Sequence, residues 1–180
     1  MIKHSEECWY AFVTKPRHEK KAKQYLHGAG FEVFLPLQCG LNQWKDRKRW
    51  VEKPLFPGYI FCRIAFVNRF DVLQQPSMVR VVAINNQPMP VRDDEIQAIK
   101  HFLSTDLELK VYEGLLPGDH VRIASGVLMG YEGRILQERG ERYFVIYIES
   151  ICKSVSIRAN DVKLEKIDSS ETVTENDADL

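Results

Sequence analysis

Hydrophobic and polar positions alternate in two different rhythms along the chain, and the rhythm changes near residue 117. Trp9-Tyr10-Ala11-Phe12-Val13 is an apolar run rich in aromatic and β-branched residues, closed by Lys15-Pro16, and it predicts a buried strand. From Arg17 to His27 the apolar positions Ala22, Tyr25 and Leu26 recur at spacings of three and four, with Lys20, Lys21 and Lys23 off the stripe, so a helix is expected that Gly28 and Gly30 end. This helix is expected to put Arg17 and Lys21 on one face. Phe31 to Leu35 predicts a second strand stopped by Pro36, and the basic segment Gln43 to Glu52 predicts a projecting hairpin.

The first half is organised around Lys53-Pro54-Leu55-Phe56-Pro57-Gly58-Tyr59-Ile60-Phe61. Two prolines withhold amide donors and Gly58 permits a reversal, so a sharp turn must feed a strand in which Tyr59 and Phe61 share one face and Ile60 and Cys62 the other. A short helix over Arg69 to Gln75, a strand over Val79 to Ile84, a turn at Asn85-Asn86 and a helix from Asp93 to Leu103 complete an α+β sandwich over residues 1–103, with helices laid on a mainly antiparallel sheet. Residues 104–116 are read as a linker. Over 117–167, five short β runs separated by glycines predict a small five-stranded barrel. The stretch 168–180 is acidic, without aromatics, and reads as a disordered tail.

Charge sharpens this division. The formal net charge is zero, yet it splits into +6 over residues 1–103, −1 over 104–167 and −5 over 168–180. A basic first half points to a polyanionic neighbour. The apolar runs are far shorter than the roughly 20 residues of a membrane helix, and the N-terminus lacks a signal-peptide core, so a cytoplasmic protein is expected. Cys8, Cys39, Cys62 and Cys152 form no Cys-x-x-Cys pair, which predicts reduced, mostly buried thiols and no metal; no cofactor is implied. Neither a phosphate-binding glycine loop nor a nucleophile elbow occurs, and the reading is of a protein that is not an enzyme.

Trp9-Tyr10, the stretch from Lys53 to Phe61 after a basic hairpin, and Gly118-Asp119-His120-Val121-Arg122-Ile123 followed by Gly126 to Gly133 together resemble the NusG transcription elongation factors, the first two motifs their N-terminal (NGN) domain and the third their KOW module. Thr14 to Ala22, Val33 to Leu37 and Trp44 to Lys48 are similar to the specialised UpxY and RfaH antiterminators. The resemblance implies an antitermination factor for particular operons, such as those of polysaccharide synthesis; a general elongation factor and an RNA- or ribosome-binding KOW protein are the alternatives. It implies that Trp9, Ala11, Phe56, Tyr59 and Phe61 meet the clamp helices of the largest RNA polymerase subunit, and that Arg69 and Phe70 stand where the β gate loop would be touched. For Trp9 a core role is an equal alternative, whereas Tyr59 and Phe61 are expected to make contact.

Lys15, Arg17, His18, Lys21, Lys45, Arg47, Lys48 and Arg49 make a discontinuous basic surface suited to the non-template DNA strand, with Trp50 able to stack on bases and Gln74 and Gln75 able to hydrogen bond. For each lysine alone, a solvated surface position is the default. On the KOW module the resemblance places partner contacts at Leu128, Met129, Tyr131, Ile148, Glu149 and Ile151, for ribosomal protein NusE; an acidic Glu149 in place of the aromatic of general members implies weak or absent Rho engagement. It also implies a monomer. The β-rich segment Tyr143 to Ile148 and the glycines between the strands disfavour a helical C-terminal domain of the RfaH kind.

Overall fold

The computed structural model describes residues 6–43, 48–105, 109–114, 116–126, 128–159 and 163–167. The N-terminal domain runs β1 (Glu7–Thr14), α1 (Glu19–Gly28), β2 (Glu32–Phe34), β3 (Leu37–Gln43), β4 (Lys48–Pro54), β5 (Tyr59–Ala65), α2 (Arg69–Leu73), β6 (Met78–Val81), β7 (Ala83–Ile84), β8 (Gln87–Pro88), β9 (Pro90–Val91) and α3 (Asp93–Ser104). The C-terminal domain runs β10 (Leu109–Glu113), β11 (Asp119–Ile123), β12 (Glu132–Glu138), β13 (Glu141–Ile148), a 3-10 turn (Glu149–Ile151), β14 (Lys153–Arg158) and β15 (Leu164–Lys166).

β1 lies at the centre of the first sheet, antiparallel to β5 on one side and to β6 and β9 on the other, with β2 beyond β5. Strand periodicity then sorts its side chains. Tyr10 and Phe12 of β1, with Ile60, Cys62 and Ile64 of β5, face Ala22 and Leu26 of α1 and Val72 of α2. Trp9, Ala11 and Phe61 face the opposite way, toward Ile96, Ile99 and Phe102 of α3. The expected split of Tyr59 and Phe61 from Ile60 and Cys62 holds. The basic hairpin is β3 paired with β4, register Gln43 to Lys48, and its tip, including Lys45 and Arg47, lies outside the described residues.

The organising turn forms as its sequence requires. Tyr59 N–H donates to Phe56 O at 3.1 Å across Pro57-Gly58, with Gly58 at φ +82°, the geometry in which proline fixes the first corner and glycine takes the left-handed second one. Asn85 (φ 50°) and Asn86 (φ 62°) both adopt the left-handed region and join β7 to β8, again as expected of Asn-Asn.

Three expectations are corrected. α1 begins at Glu19, not Arg17: Pro16-Arg17 forms a turn in which His18 N–H donates to Lys15 O at 3.0 Å and Arg17 sits at φ +62°. Arg17 therefore does not share a helix face with Lys21. The C-terminal domain has six strands in the order β10-β14-β13-β12-β11-β15, because Leu109–Glu113, read as linker, pairs along β14 from Leu109 opposite Ile157 to Glu113 opposite Lys153. The antiparallel order agrees in part with the expected barrel, and no pairing closes β10 onto β15 among the described residues. Third, only Cys62 of the four free thiols is buried; Cys39 and Cys152 are exposed. The acidic stretch 168–180 lies outside the described residues.

The C-terminal sheet packs on the α3 side of the N-terminal domain. One continuous apolar core contains Trp9, Ala11, Phe56, Phe61, Ile99 and Phe102 together with Leu109, Leu128, Phe144, Ile146, Ile148, Ile151 and Val155. Phe102 meets Phe144 edge-to-face with ring centroids 6.2 Å apart, a geometry worth about 0.5–1.5 kcal/mol beyond the area it buries.

Candidate nucleic-acid and protein interfaces

Two surfaces stand on opposite sides of the first sheet. The aromatic one is a cluster on the α3 side. Trp9 meets Phe34 edge-on at 6.5 Å, Phe34 lies 6.1 Å from Phe61, and Phe56 meets Phe61 edge-on at 6.1 Å. Phe56 and Phe61 are fully buried, and Trp9 and Ala11 nearly so, in part beneath the C-terminal sheet. Tyr59 is half-buried, with the Lys153 ammonium of β14 5.6 Å from its ring centroid. In this arrangement the residues assigned to the clamp-helix contact are covered by the chain itself, Tyr59 only in part.

The C-terminal partner residues face the same seam. Leu128, Ile148 and Ile151 are interior, Tyr131 places its hydroxyl 2.5 Å from His101 Nδ1 of α3, and Met129 is largely exposed. The side chain of Glu149 is exposed, and Glu149 shares a cavity lining with Glu95 of α3. A second tie runs from Gln38 Nε2 of β3 to Leu109 O of β10 at 3.4 Å. Sequence reasoning placed Glu95 only at the helix N-terminus and assigned no role to His101 or Phe102, since a helix face that covers a sheet and one that also receives a second domain carry the same apolar stripe.

The basic surface sits at the β1 to α1 corner, and the chain fixes that corner from two directions. Thr14 N–H donates to Gly58 O at 2.9 Å, Lys15 N–H to Ser77 O at 2.8 Å, and the Glu19 carboxylate accepts the Gly58 N–H at 2.8 Å. His18 Nδ1 lies 3.1 Å from Ser77 Oγ. Lys15, Arg17 and Lys21 project from this frame into solvent. Trp50, on the neighbouring hairpin, is 68% exposed, which leaves its ring free to stack. Lys48 and Arg49 belong to β4, but their side chains, like residues Lys45 and Arg47, lie outside the described set. Gln74 is exposed, whereas Gln75 Nε2 donates to Asp71 O at 3.4 Å.

At the third predicted position the Arg69 guanidinium lies 4.4 Å from the Phe66 ring centroid and 4.2 Å from that of Phe70, and donates to Phe66 O at 3.1 Å. Phe70 is 58% exposed. Cation–π contacts of this kind hold the charge and both rings in one place. Among the described residues no group of His, Cys, Asp or Glu side chains could hold a metal ion, and no helix is long and apolar enough to cross a membrane.

An antiparallel sheet with helices on both faces, followed by an all-β module packed on one of them, defines a two-domain α+β protein. The family model "Transcription termination factor nusG" matches residues 7–100, and the chain belongs to the NusG family. Curated relatives agree over most of its length. The chain is 25% identical over 152 residues to the transcription termination/antitermination protein NusG of Streptococcus pyogenes serotype M3, a match spanning 76% of this chain and 84% of that one. It is 26% identical over 154 residues to NusG of Thermus thermophilus, spanning 74% and 84%. Among solved structures it is similar to one described as domain interaction in Thermotoga maritima NusG, with a TM-score of 0.52 and 24% identity, covering 92% of this chain and 99% of that one. The likeness to a transcription termination/antitermination protein thus extends through both domains.

Proposed function

We propose that this chain is a transcription antitermination factor that binds RNA polymerase through the aromatic face of its N-terminal domain and the exposed non-template strand through its basic corner. The observation that carries the reading is the aromatic face itself: Trp9, Ala11, Phe56, Tyr59 and Phe61 form a clustered apolar surface whose outer cover, beyond α3, is a separate domain rather than more of the same domain. Undocking of the C-terminal sheet offers the polymerase clamp helices an aromatic-rich patch of the type that anchors protein interfaces. Lys15, Arg17 and Lys21 then lie on the same domain for the DNA backbone, contacts that confer affinity with little sequence information. Trp50 and Gln74 supply exposed groups for reading bases, and Arg69 with Phe70 supply a second polymerase contact at the β gate loop. The released sheet presents Tyr131, Glu149 and Met129 to a ribosomal partner of the NusE type, with Rho a poor fit to the acidic Glu149.

The similarity of Thr14 to Ala22 and Trp44 to Lys48 to the UpxY pattern favours action on particular operons, such as those for polysaccharides. The test is transcript elongation by the host polymerase on the chain's own operon leader and on an unrelated template. Readthrough raised only on the native leader, and lost in Lys15→Ala/Arg17→Ala, supports the specialised role. Equal effects on both templates mean a general factor, and no binding to polymerase refutes the reading.

A further inference from the structure

Glu95 is the buried carboxylate at the seam between the two domains. It retains 7% of its exposure and belongs to the first turn of α3. Its Oε2 accepts the Arg92 N–H at 3.2 Å, capping its own helix, and its Oε1 lies 3.3 Å from the Arg92 guanidinium. From the other domain Glu149, at the start of the 3-10 turn whose Ser150 and Ile151 are buried, lines the same cavity as Glu95. One side chain therefore caps its own helix and faces the second domain across the seam. Asp94 neighbours it on α3, and Arg92 at the helix N-cap with His120, Glu132, Arg134, Tyr147 and Glu149 of the C-terminal domain line with it this cavity of about 210 Å³ between the domains.

We propose that docking of the C-terminal sheet onto the N-terminal domain is proton-linked through Glu95 and tightens as pH falls. Two influences oppose each other at this carboxylate. The Arg92 guanidinium and N–H favour its charge, whereas the approach of the sheet strips its water, and desolvation outweighs them, leaving its pKa above the ordinary 4.5. When the sheet leaves, Glu95 regains solvent and acidifies. A group whose pKa is higher in the docked state stabilises that state once protonated, and this contribution is lost as pH rises through the docked value. The ionised form thus holds the seam more weakly than the protonated form does, so the covered face is released more readily as pH rises.

The inference rests on the docked arrangement and not on what binds the covered face, so its test needs no polymerase. Hydrogen exchange of the Glu149, Ser150 and Ile151 amides is followed by NMR in the full chain from pH 8 to about pH 4, below the ordinary Glu value, corrected for the intrinsic pH dependence of exchange. Protection is expected to rise as pH falls through the docked value, approaching about tenfold for each unit by which docking raises the Glu95 pKa only once the pH is below the undocked value. Glu95→Gln, which keeps the size and a carbonyl acceptor, is expected to hold protection near the low-pH level throughout. His101→Gln and His120→Gln are expected to keep the wild-type slope. A flat or reversed slope in the wild-type chain overturns the proposal. So does a full slope retained in Glu95→Gln, or a slope abolished by either histidine variant.

Discussion

Ala98 offers a direct way to open the seam. It is 2% exposed on α3, three residues after Glu95, and lines a cavity of about 820 Å³ with Tyr131, Ile146 and Tyr147 of the C-terminal sheet. In Ala98→Glu the docked state must bury an unpaired carboxylate, a penalty of several kcal/mol after relaxation. Asp94 and Glu95 are acidic neighbours on the same helix and add repulsion. Taking about 4 kcal/mol, the ratio of docked to undocked chain falls roughly a thousandfold. The undocked N-terminal domain pays almost nothing, since glutamate is a good helix former and its charge then lies in water. Two readouts follow. Exchange protection at Glu149, Ser150 and Ile151 should drop by about that factor, or until the docked state no longer predominates. Affinity for RNA polymerase should rise, by no more than the wild-type ratio of docked to undocked chain. Unchanged protection would refute the docking energetics. Lost protection with unchanged polymerase affinity would refute the idea that the sheet covers the polymerase face.

Gly133→Ala should damage the C-terminal sheet itself. A Cβ there would collide with the Val145 carbonyl oxygen and lie 2.7 Å from Phe144 Cζ, and overpacking of this kind costs about 1–3 kcal/mol, read as an earlier thermal unfolding transition; an unchanged transition temperature would show that β12 and β13 are not so close. The Cys62 thiol, with no exposed surface and its pKa pushed up to about 12 by burial, should resist alkylation at pH 8 in the native chain while Cys39 and Cys152 react, as peptide mass mapping will show. Equal labelling of Cys62 would contradict its place beneath α1.

What the sequence disclosed was what local chemistry decides. Pro57-Gly58 admits few conformations, and the strict alternation of Tyr59 through Cys62 fixed which side of the sheet each side chain would take. The hairpin, the Asn85-Asn86 turn and the helix beginning at Asp93 followed for the same reason. Arg17 escaped because the helical stripe is read from Ala22, Tyr25 and Leu26, and a polar residue before the first periodic position tells nothing about where the helix starts. β10 escaped because Leu109 to Glu113 becomes a strand only when β14 lends it an edge. Docking was least legible of all: Phe61, Phe102 and Phe144 read identically as core, as partner surface or as the seam between two domains, and complementarity between distant surfaces leaves no periodicity in either one. Of the basic positions, the sequence named Lys15 and His18, yet the Gly58 and Ser77 contacts that aim them appear only in three dimensions.

The pairing of β10 with β14 also sets how far the two domains can part. α3 ends at Ser104 and β10 starts at Leu109, so four residues, 105–108, span the gap while that pairing persists. Fully stretched, they allow about 17 Å between those two Cα atoms. A module on so short a leash returns to its neighbour at an effective concentration in the millimolar range. Any outside partner of the aromatic face therefore competes against a tethered rival, and its apparent affinity is governed by the length of four residues as much as by its own contacts.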